Sequence, residues 1–292
     1  MIVIYFIEDR INDTGKNIEN CCEIARLLRK RKEEIEFTWW ACRDSILSDN
    51  PCDDVHISMQ VLPSRNTLYR MIMSASKNIH ADWLIIYKHS ADNILNKIEN
   101  ESFMNVMVID NNYFTSLPEE LFKMRILEEI HPSQSDKLKL RQTCENDIKT
   151  YFAWVNDAKV RQYSLDTKPI QWKQHKAWFE NRLDDQKCLM FVMEADNLPV
   201  GQIRFENENG AARIDFSLDI CVRGRMWAKK LVGDGITMAR QYGIKNFLAE
   251  VKKQNVASAK TFQNVGFTEQ NNNNSDIRLF QLFTNSNKIL SY

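Results

Sequence analysis

Apolar and polar positions follow two different patterns along the chain. Up to about residue 130, apolar runs of strand length alternate with stretches of helical spacing. Residues 2–7, 35–40, 56–62, 83–87 and 106–109 read as strands. Between them, residues 17–31 place Ile24, Leu27 and Leu28 on one helical face; residues 67–76, 93–98 and 117–129 also read as helices. Apolar strands separated by amphipathic helices predict parallel pairing with helices on both faces. That is a small doubly wound, Rossmann-like α/β domain over residues 1–132. The polar, helix-breaking stretch from His131 and Pro132 to Asp136 predicts a domain boundary.

Beyond it the pattern changes. A strand at 138–141 leads into a helix at 145–156 and a second helical stretch at 172–183. Residues 189–195 and 200–206, joined by Asp196-Asn197-Leu198-Pro199, read as a hairpin. The turn Asn209-Gly210 leads to a strand at 212–220, a helix at 226–241, a strand at 247–252, a helix at 257–264 and a last strand at 277–283. The Asn-rich stretch 270–275 reads as a hairpin loop. This order predicts a second, α+β domain over residues 137–292.

Composition narrows the function classes. The 292 residues exceed what one compact domain usually needs, in agreement with two domains. Lys plus Arg equals Asp plus Glu, 39 against 39, which leaves no basic field to draw in nucleic acid or an anionic membrane. The seven cysteines include the adjacent pair Cys21-Cys22 and no Cys-x-x-Cys, which argues against a disulfide framework and against a metal site. The apolar start lacks the basic residues and length of a signal peptide, and no run approaches a bilayer span, so a cytoplasmic location is expected.

Three patterns carry the chemistry. Arg223-Gly224-Arg225-Met226-Trp227-Ala228 joins a strand to a helix. A loop running into a helix N-terminus presents free backbone N–H groups and the positive end of the helix dipole, a cradle for a diphosphate. Asn255, Ser258, Phe262 and Gly266 follow a strand. Asn255 caps a helix, Ser258 and Phe262 lie one and two turns on along one face, and Gly266 supplies a left-handed stop. Asn156, Asp157, Arg161, His175 and Trp178 gather between residues 154 and 179. Polar groups there can bond hydroxyls, an arginine can pair a phosphate and an aromatic face can stack on a ring. Taken singly, Trp154 and Trp178 read as core and Asn156-Asp157 as a helix end; taken as a set, they point to a ligand.

In its order of elements and these motifs, the second half resembles the GNAT N-acetyltransferase superfamily. The 223–228 stretch resembles that family's Arg-Gly-x-Gly-x-Gly/Ala loop, with Met226 in place of a glycine. Residues 255–267 resemble its Asn-x-x-Ser/Ala-x-x-x-Tyr/Phe-x-x-x-Gly-Phe. The resemblance implies acetyl-CoA as co-substrate. Its diphosphate would sit on Arg223, Gly224, Arg225, Met226, Trp227 and Ala228, and its pantetheine beside Asn255, Ser258 and Phe262. The strands at 212–220 and 247–252 would splay to admit it along Leu218 and Ile220, where a free strand N–H bonds the thioester carbonyl. Phe262 stands where many relatives carry a Tyr that protonates the departing thiolate. Phenylalanine cannot donate, which leaves water or Ser258. Glu250 and His175 are the base candidates, and with no Cys or Ser nucleophile signature the transfer is direct.

Residues 154–179 resemble the acceptor side of one GNAT branch. That branch acetylates amino groups on UDP-linked deoxy sugars in nonulosonic (pseudaminic-type) acid pathways. A sugar nucleotide bound by Asn156, Asp157, Arg161, His175 and Trp178 is implied. Two other readings stay open: a catalytically inactive sugar-nucleotide-binding or scaffold protein, and a GNAT acting on another small amine. A homo-oligomer is compatible with each. Residues 1–115 resemble the first half of a GT-B-type UDP-sugar hydrolase of the same pathway. That resemblance rests on Asp13-Thr14-Gly15-Lys16, on Ala81-Asp82-Trp83 and on Val106-Met107-Val108-Ile109-Asp110. Lys16 or Asn17 replaces the family's His, Glu19 or Asn20 its Arg, and the second GT-B domain is missing, which implies a non-catalytic remnant.

Overall fold

The computed structural model describes residues 2–8, 23–28, 30, 35–42, 57–62, 83–88, 105–110, 117–130, 132–134, 137–208, 210–271 and 276–283. The chain divides into two compact units, Met1–Pro132 and Ser133–Tyr292. In the first, strands β1 (Ile2–Glu8), β2 (Ile35–Cys42), β3 (Ile57–Leu62), β4 (Trp83–Lys88) and β5 (Asn105–Asp110) form one sheet. Its order is β3-β2-β1-β4-β5, with every neighbouring pair parallel. Parallel neighbours need a crossover between them. Residues 23–28 are helical and bury Ile24, Ala25 and Leu28. Helix α1 (Glu119–Ile130) buries Leu121, Met124 and Leu127, and its Lys123 pairs with Glu23. The helices expected at 67–76 and 93–98, and the Asp13-Thr14-Gly15-Lys16 motif, lie outside the described residues.

The second unit is a seven-stranded sheet with helices on both faces. Its strands are β6 (Leu138–Gln142), β7 (Cys188–Ala195), β8 (Leu198–Glu208), β9 (Ala211–Leu218), β10 (Phe247–Lys252), β11 (Thr268–Gln270) and β12 (Ile277–Leu282). Its helices are α2 (Ile148–Val155), α3 (Ala158–Tyr163), α4 (Trp172–Asp184), α5 (Trp227–Gln241) and α6 (Val256–Asn264). The strand order is β11-β12-β10-β9-β8-β7-β6, antiparallel throughout except for the parallel pair β9–β10.

The period-two alternation of β8 assigns the layers. Arg204 lies over the Trp178 ring of α4 at 4.8 Å, so even-numbered positions face α2 to α4. Ile203 and Phe205 approach Gly235 of α5 from the other side. Helix α5 buries Leu231, Val232, Gly235, Ile236 and Ala239, the stripe of an amphipathic helix. Phe262 of α6 joins the same face by packing against Phe216, Phe267 and Phe280. Strand β7 is buried along most of its length because helices cover both its sides.

Where elements end, local chemistry explains the difference from the sequence pattern. The helix expected at 145–156 begins as a 3-10 turn, Glu145–Asp147, and only then becomes α2. The buried Asp147 carboxylate accepts two bonds from Arg141, at 2.7 and 2.8 Å, and one from the Cys144 amide at 2.8 Å. This bidentate pair ties the start of α2 to β6 and holds the Arg141 guanidinium well above its usual pKa. The strand expected to run to 220 stops at Leu218. Asp219 turns the chain into a second 3-10 turn, Ile220–Val222, by accepting the Cys221 amide. In the 196–199 turn only Asp196 and Asn197 leave the ladder, both at positive φ (51° and 66°), as a two-residue hairpin requires.

Candidate active site

The parallel pair β9–β10 is hydrogen-bonded at one end only. Its register covers Phe247 opposite Ala212 and Leu248 opposite Arg213, and nothing beyond. The Ala212 amide donates to the Asn246 carbonyl on the β10 side, whereas the Asp219 amide donates to Val200 on the β8 side. By strand alternation, Phe216 and Leu218 therefore turn their backbone groups toward the gap where β10 has departed. The Leu218 carbonyl is taken by the Arg223 Nε at 3.0 Å. The splayed pair expected from the sequence is thus formed, and it leaves strand amides of β9 without ladder partners on the β10 side.

The loop after β9 leads to the N-terminus of α5. Gly224 has φ +87° and Met226, the N-cap residue, sits in the left-handed region at φ 61°, ψ 9°. The position does require a glycine-like backbone, and a methionine occupies it at a cost of about 1–2 kcal/mol. The Met226 side chain is 84 % exposed and turns to solvent. In the first turn of α5 the Lys229 amide is taken by the Met226 carbonyl at 3.1 Å, which leaves the amides of Trp227 and Ala228 as the usual basis of an anion cradle. Met226→Gly is therefore expected to raise stability to urea by about 1 kcal/mol, since strain is relieved and no packing is lost. Equilibrium urea unfolding checks this; an unchanged or lower midpoint would refute it. Asn255 caps α6, its Oδ1 accepting the Ser258 amide at 3.2 Å, and Gly266 ends the helix at φ +98°.

On the other side of β9, a cavity of about 60 Å³ lies between α2, α3, α4 and the sheet. Its wall includes Tyr151, Trp154, His175 and Trp178, and its sheet side carries Gln202, Arg204, Asp215 and Ser217. Trp154 Nε1 donates to Asp219 at 3.0 Å, fixing one wall to the end of β9. Arg204 is held over Trp178 and pairs with Asp215 at 3.1 Å. The buried Tyr151 hydroxyl bonds Thr143 and the Phe191 carbonyl, and burial pushes its pKa up.

The acceptor-side residues named from sequence divide into two groups. His175 and Trp178 line the cavity, and Arg161 reaches it. The Arg161 guanidinium, however, is spent on its own loop: Nε donates to the Val155 carbonyl, Nη1 to the Asp166 and Lys168 carbonyls, and Nη2 to Ser164. Asn156 and Asp157 do not line the cavity. Asn156 staples both backbone groups of Ile170, at 2.8 and 3.0 Å. Asp157 caps α3 through the amides of Lys159 and Val160 and pairs with Arg223 at 2.8 Å. Their hydrogen bonds shape the segment.

Several cofactor-side expectations also shift. Phe262 is 3 % exposed among Phe216, Phe267 and Phe280, so its ring is core. Ile220 lies in the 3-10 turn after β9, more than half exposed, and offers no strand amide. Arg223 reaches inward to Asp157 and Leu218, and Arg225 donates to the Cys221 carbonyl and stacks on Trp227, itself buried. Backbone N–H groups, not these side chains, are what the loop offers an anion. Ala228 is half-buried in the first turn of α5.

Of the base candidates, Glu250 is exposed on β10 and, by register with Arg213, shares the sheet face of Asp215. His175 is 1 % exposed, ringed by Phe152, Trp172, Trp178 and Phe179, with Nε2 bonded to the Ile148 carbonyl at 2.9 Å. Burial depresses its pKa, so the imidazole stays neutral when an unfolded histidine would charge. A depressed histidine pKa makes the unfolded state the better proton binder. Stability is then full above about pH 6.5 and falls as pH drops from there toward the lower folded value. His175→Asn is expected to flatten that part of the stability–pH curve. Equal slopes between pH 7.5 and 5 for both proteins would count against it.

Gln202, Arg204, Asp215 and Ser217 went unnoticed in the sequence. Their signal was the alternation Arg213-Ile214-Asp215-Phe216-Ser217, whose polar side reads as solvent-facing until helices are known to cover it. Among the described residues, no group of His, Cys, Asp and Glu is placed to hold a metal, and no helix is long and apolar enough to cross a membrane.

Over 146 residues the chain is 23 % identical to an uncharacterized protein of Methanocaldococcus jannaschii, matching 46 % of this chain but 28 % of that relative's length. Among solved structures, a domain from Methanocaldococcus jannaschii covers 50 % of this chain and 98 % of its own, at 18 % identity and a TM-score of 0.45. Spermidine N-acetyltransferase from Vibrio cholerae, in complex with CoA and spermine, covers 51 % and 96 %, at 15 % identity and a TM-score of 0.47. The family model of the acetyltransferase (GNAT) domain matches residues 137–268, the stretch that contains the open strand pair, the loop into α5 and the Asn255-capped helix. The C-terminal half of this protein therefore carries a GNAT acetyltransferase domain.

Proposed function

We propose that this domain moves an acetyl group from acetyl-CoA to the amino group of a UDP-linked amino-deoxy sugar, by direct transfer. The observation that carries the reading is the one-sided β9–β10 pairing, which leaves the backbone of Phe216 and Leu218 without ladder partners on the β10 side. A linear pantetheine arm can complete that ladder, and an amide from Phe216 or Leu218 can bond the thioester carbonyl as negative charge gathers on it. The diphosphate would rest on the backbone amides entering α5, with Met226 turned aside to solvent. The amine nitrogen attacks the carbonyl carbon, the carbon–sulfur bond breaks, and the thiolate leaves with a proton from water or Ser258. Glu250, exposed on the cavity's face of the sheet, or the neutral His175 takes the ammonium proton, directly or through water. The aromatic wall with Trp178 suits a sugar ring at the mouth, and the resemblance of residues 154–179 to the sugar-nucleotide branch supports the acceptor class.

Purified protein should bind acetyl-CoA by calorimetry and release free thiol only when an amine is added. A UDP-linked amino-deoxyhexose is expected to be turned over faster than spermidine or an N-terminal peptide. Turnover of the polyamine or peptide alone would overturn the sugar assignment. Absence of both acetyl-CoA binding and thiol release would overturn the transferase reading.

A further inference from the structure

The floor of the cavity contains a hydrogen-bond acceptor with nothing to accept. Gln202 and Ser217 are directly opposed across β8 and β9 and are 8 % and 9 % exposed. Gln202 Nε2 donates to Ser217 Oγ at 3.3 Å. Gln202 Oε1 is buried and has no partner. Both residues line the cavity. A buried amide oxygen is costly to leave unmet, and protein interiors satisfy almost all of them. The serine hydroxyl, having accepted from Gln202, still has its own hydrogen to give. The pair thus offers one acceptor and one donor side by side. The sheet also sets where they point. Ser217 sits between Phe216 and Leu218, whose backbone faces the open edge of β9, so the floor of the cavity and the cleft are two sides of one stretch of strand.

From this arrangement we infer that Gln202 is the specificity-determining residue for the acceptor, its Oε1 accepting a hydrogen from the acceptor's primary amino group while Ser217 completes the seat. The inference rests on the transferase reading for its reaction but not for the seat itself. Size supports it. A cavity of about 60 Å³ holds on the order of four to six waters at ~10–15 Å³ each, enough for an amino group and one or two attached carbons. The bulk of a larger acceptor stays at the mouth, by Trp178 and Asp215. A donor-free group of the same size would leave Oε1 unmet, so the seat rejects it.

Two measurements test this. Gln202→Met keeps the length of the side chain and removes the acceptor. The Michaelis constant for the amine is expected to rise about tenfold, with kcat within twofold and acetyl-CoA affinity unchanged. An unchanged amine KM, or a parallel loss of acetyl-CoA affinity, would overturn the assignment. Independently of turnover and of any variant, methylammonium chloride should shift the assigned Gln202 side-chain amide resonance of the wild-type protein, and tetramethylammonium, which has no N–H, should not. No shift with methylammonium overturns the seat. A methylammonium shift in a protein that acetylates nothing keeps the seat and removes the transferase reading.

Discussion

Gly201→Ala is expected to lower the unfolding free energy by about 2–3 kcal/mol and to cut transferase activity by more than tenfold. A Cβ at Gly201 would lie 2.7 Å from the Ser217 carbonyl oxygen and 2.7 Å from Leu218 Cδ2. The first of these is backbone, which has no rotamer to yield, so β9 itself must move away from β8. The residues displaced are the two that matter. Ser217 belongs to the cavity floor, and Leu218 carries the carbonyl that anchors Arg223 and an amide facing the open edge. An overpacked core usually loses stability first and geometry second, but here the strain enters at the site. Urea unfolding and thiol-release kinetics on the same preparation check both parts. A variant as stable and as active as the parent would show that β8 and β9 have slack at this crossing.

How much of this was legible in the sequence depends on the kind of signal. The elements of the second half follow from apolar periodicity, and strand 247–252 and the stop at Gly266 lie where the pattern placed them. Caps are legible too, since Asn255 and Gly266 act through their own backbone neighbours. What was not legible depends on contacts distant in sequence. Helix α3 was missed because it is only six residues long, following Asp157, whose ψ of 133° separates it from α2. Asn156, Asp157 and Arg161 have the chemistry of ligand contacts, but Asn156 and Arg161 bond within their own loop and Asp157 bonds the α3 amides and Arg223, which no composition rule reveals. Gln202 and Ser217 look like the wet side of a hairpin. Only their coverage by α2 and α4 turns them into a buried, half-satisfied pair. Met226 is the reverse case. The family loop implied a glycine, and the left-handed backbone is kept although the residue has changed.

Asp157→Ala carries the other large expected effect, because one carboxylate serves two structures. It caps α3 by accepting the Lys159 and Val160 amides, each at 3.1 Å, and it pairs with Arg223 Nη2 at 2.8 Å. Loss of the cap costs about 1 kcal/mol. Loss of the partner leaves a guanidinium whose Nη1 is already buried and unbonded, with only the Leu218 carbonyl on Nε. Stranding a charge there adds a further 1–3 kcal/mol, so roughly 2–4 kcal/mol is expected in all. Asp157→Asn keeps an oxygen for the cap and removes the charge, and should cost about half as much. The pair also joins the acceptor segment to the loop that enters α5, so Arg223→Ala should be non-additive with Asp157→Ala. A double-mutant cycle giving a coupling of about 1 kcal/mol or more is the expected result. Strict additivity would mean that Asp157 acts through its cap alone and that the acceptor segment and the loop are held independently. Val160, Arg161 and Ser164 of the α3 segment line the cavity. Release of that helix should therefore raise KM for the amine more than it raises the Kd for acetyl-CoA. That asymmetry separates a local loosening of the acceptor side from a general loss of fold.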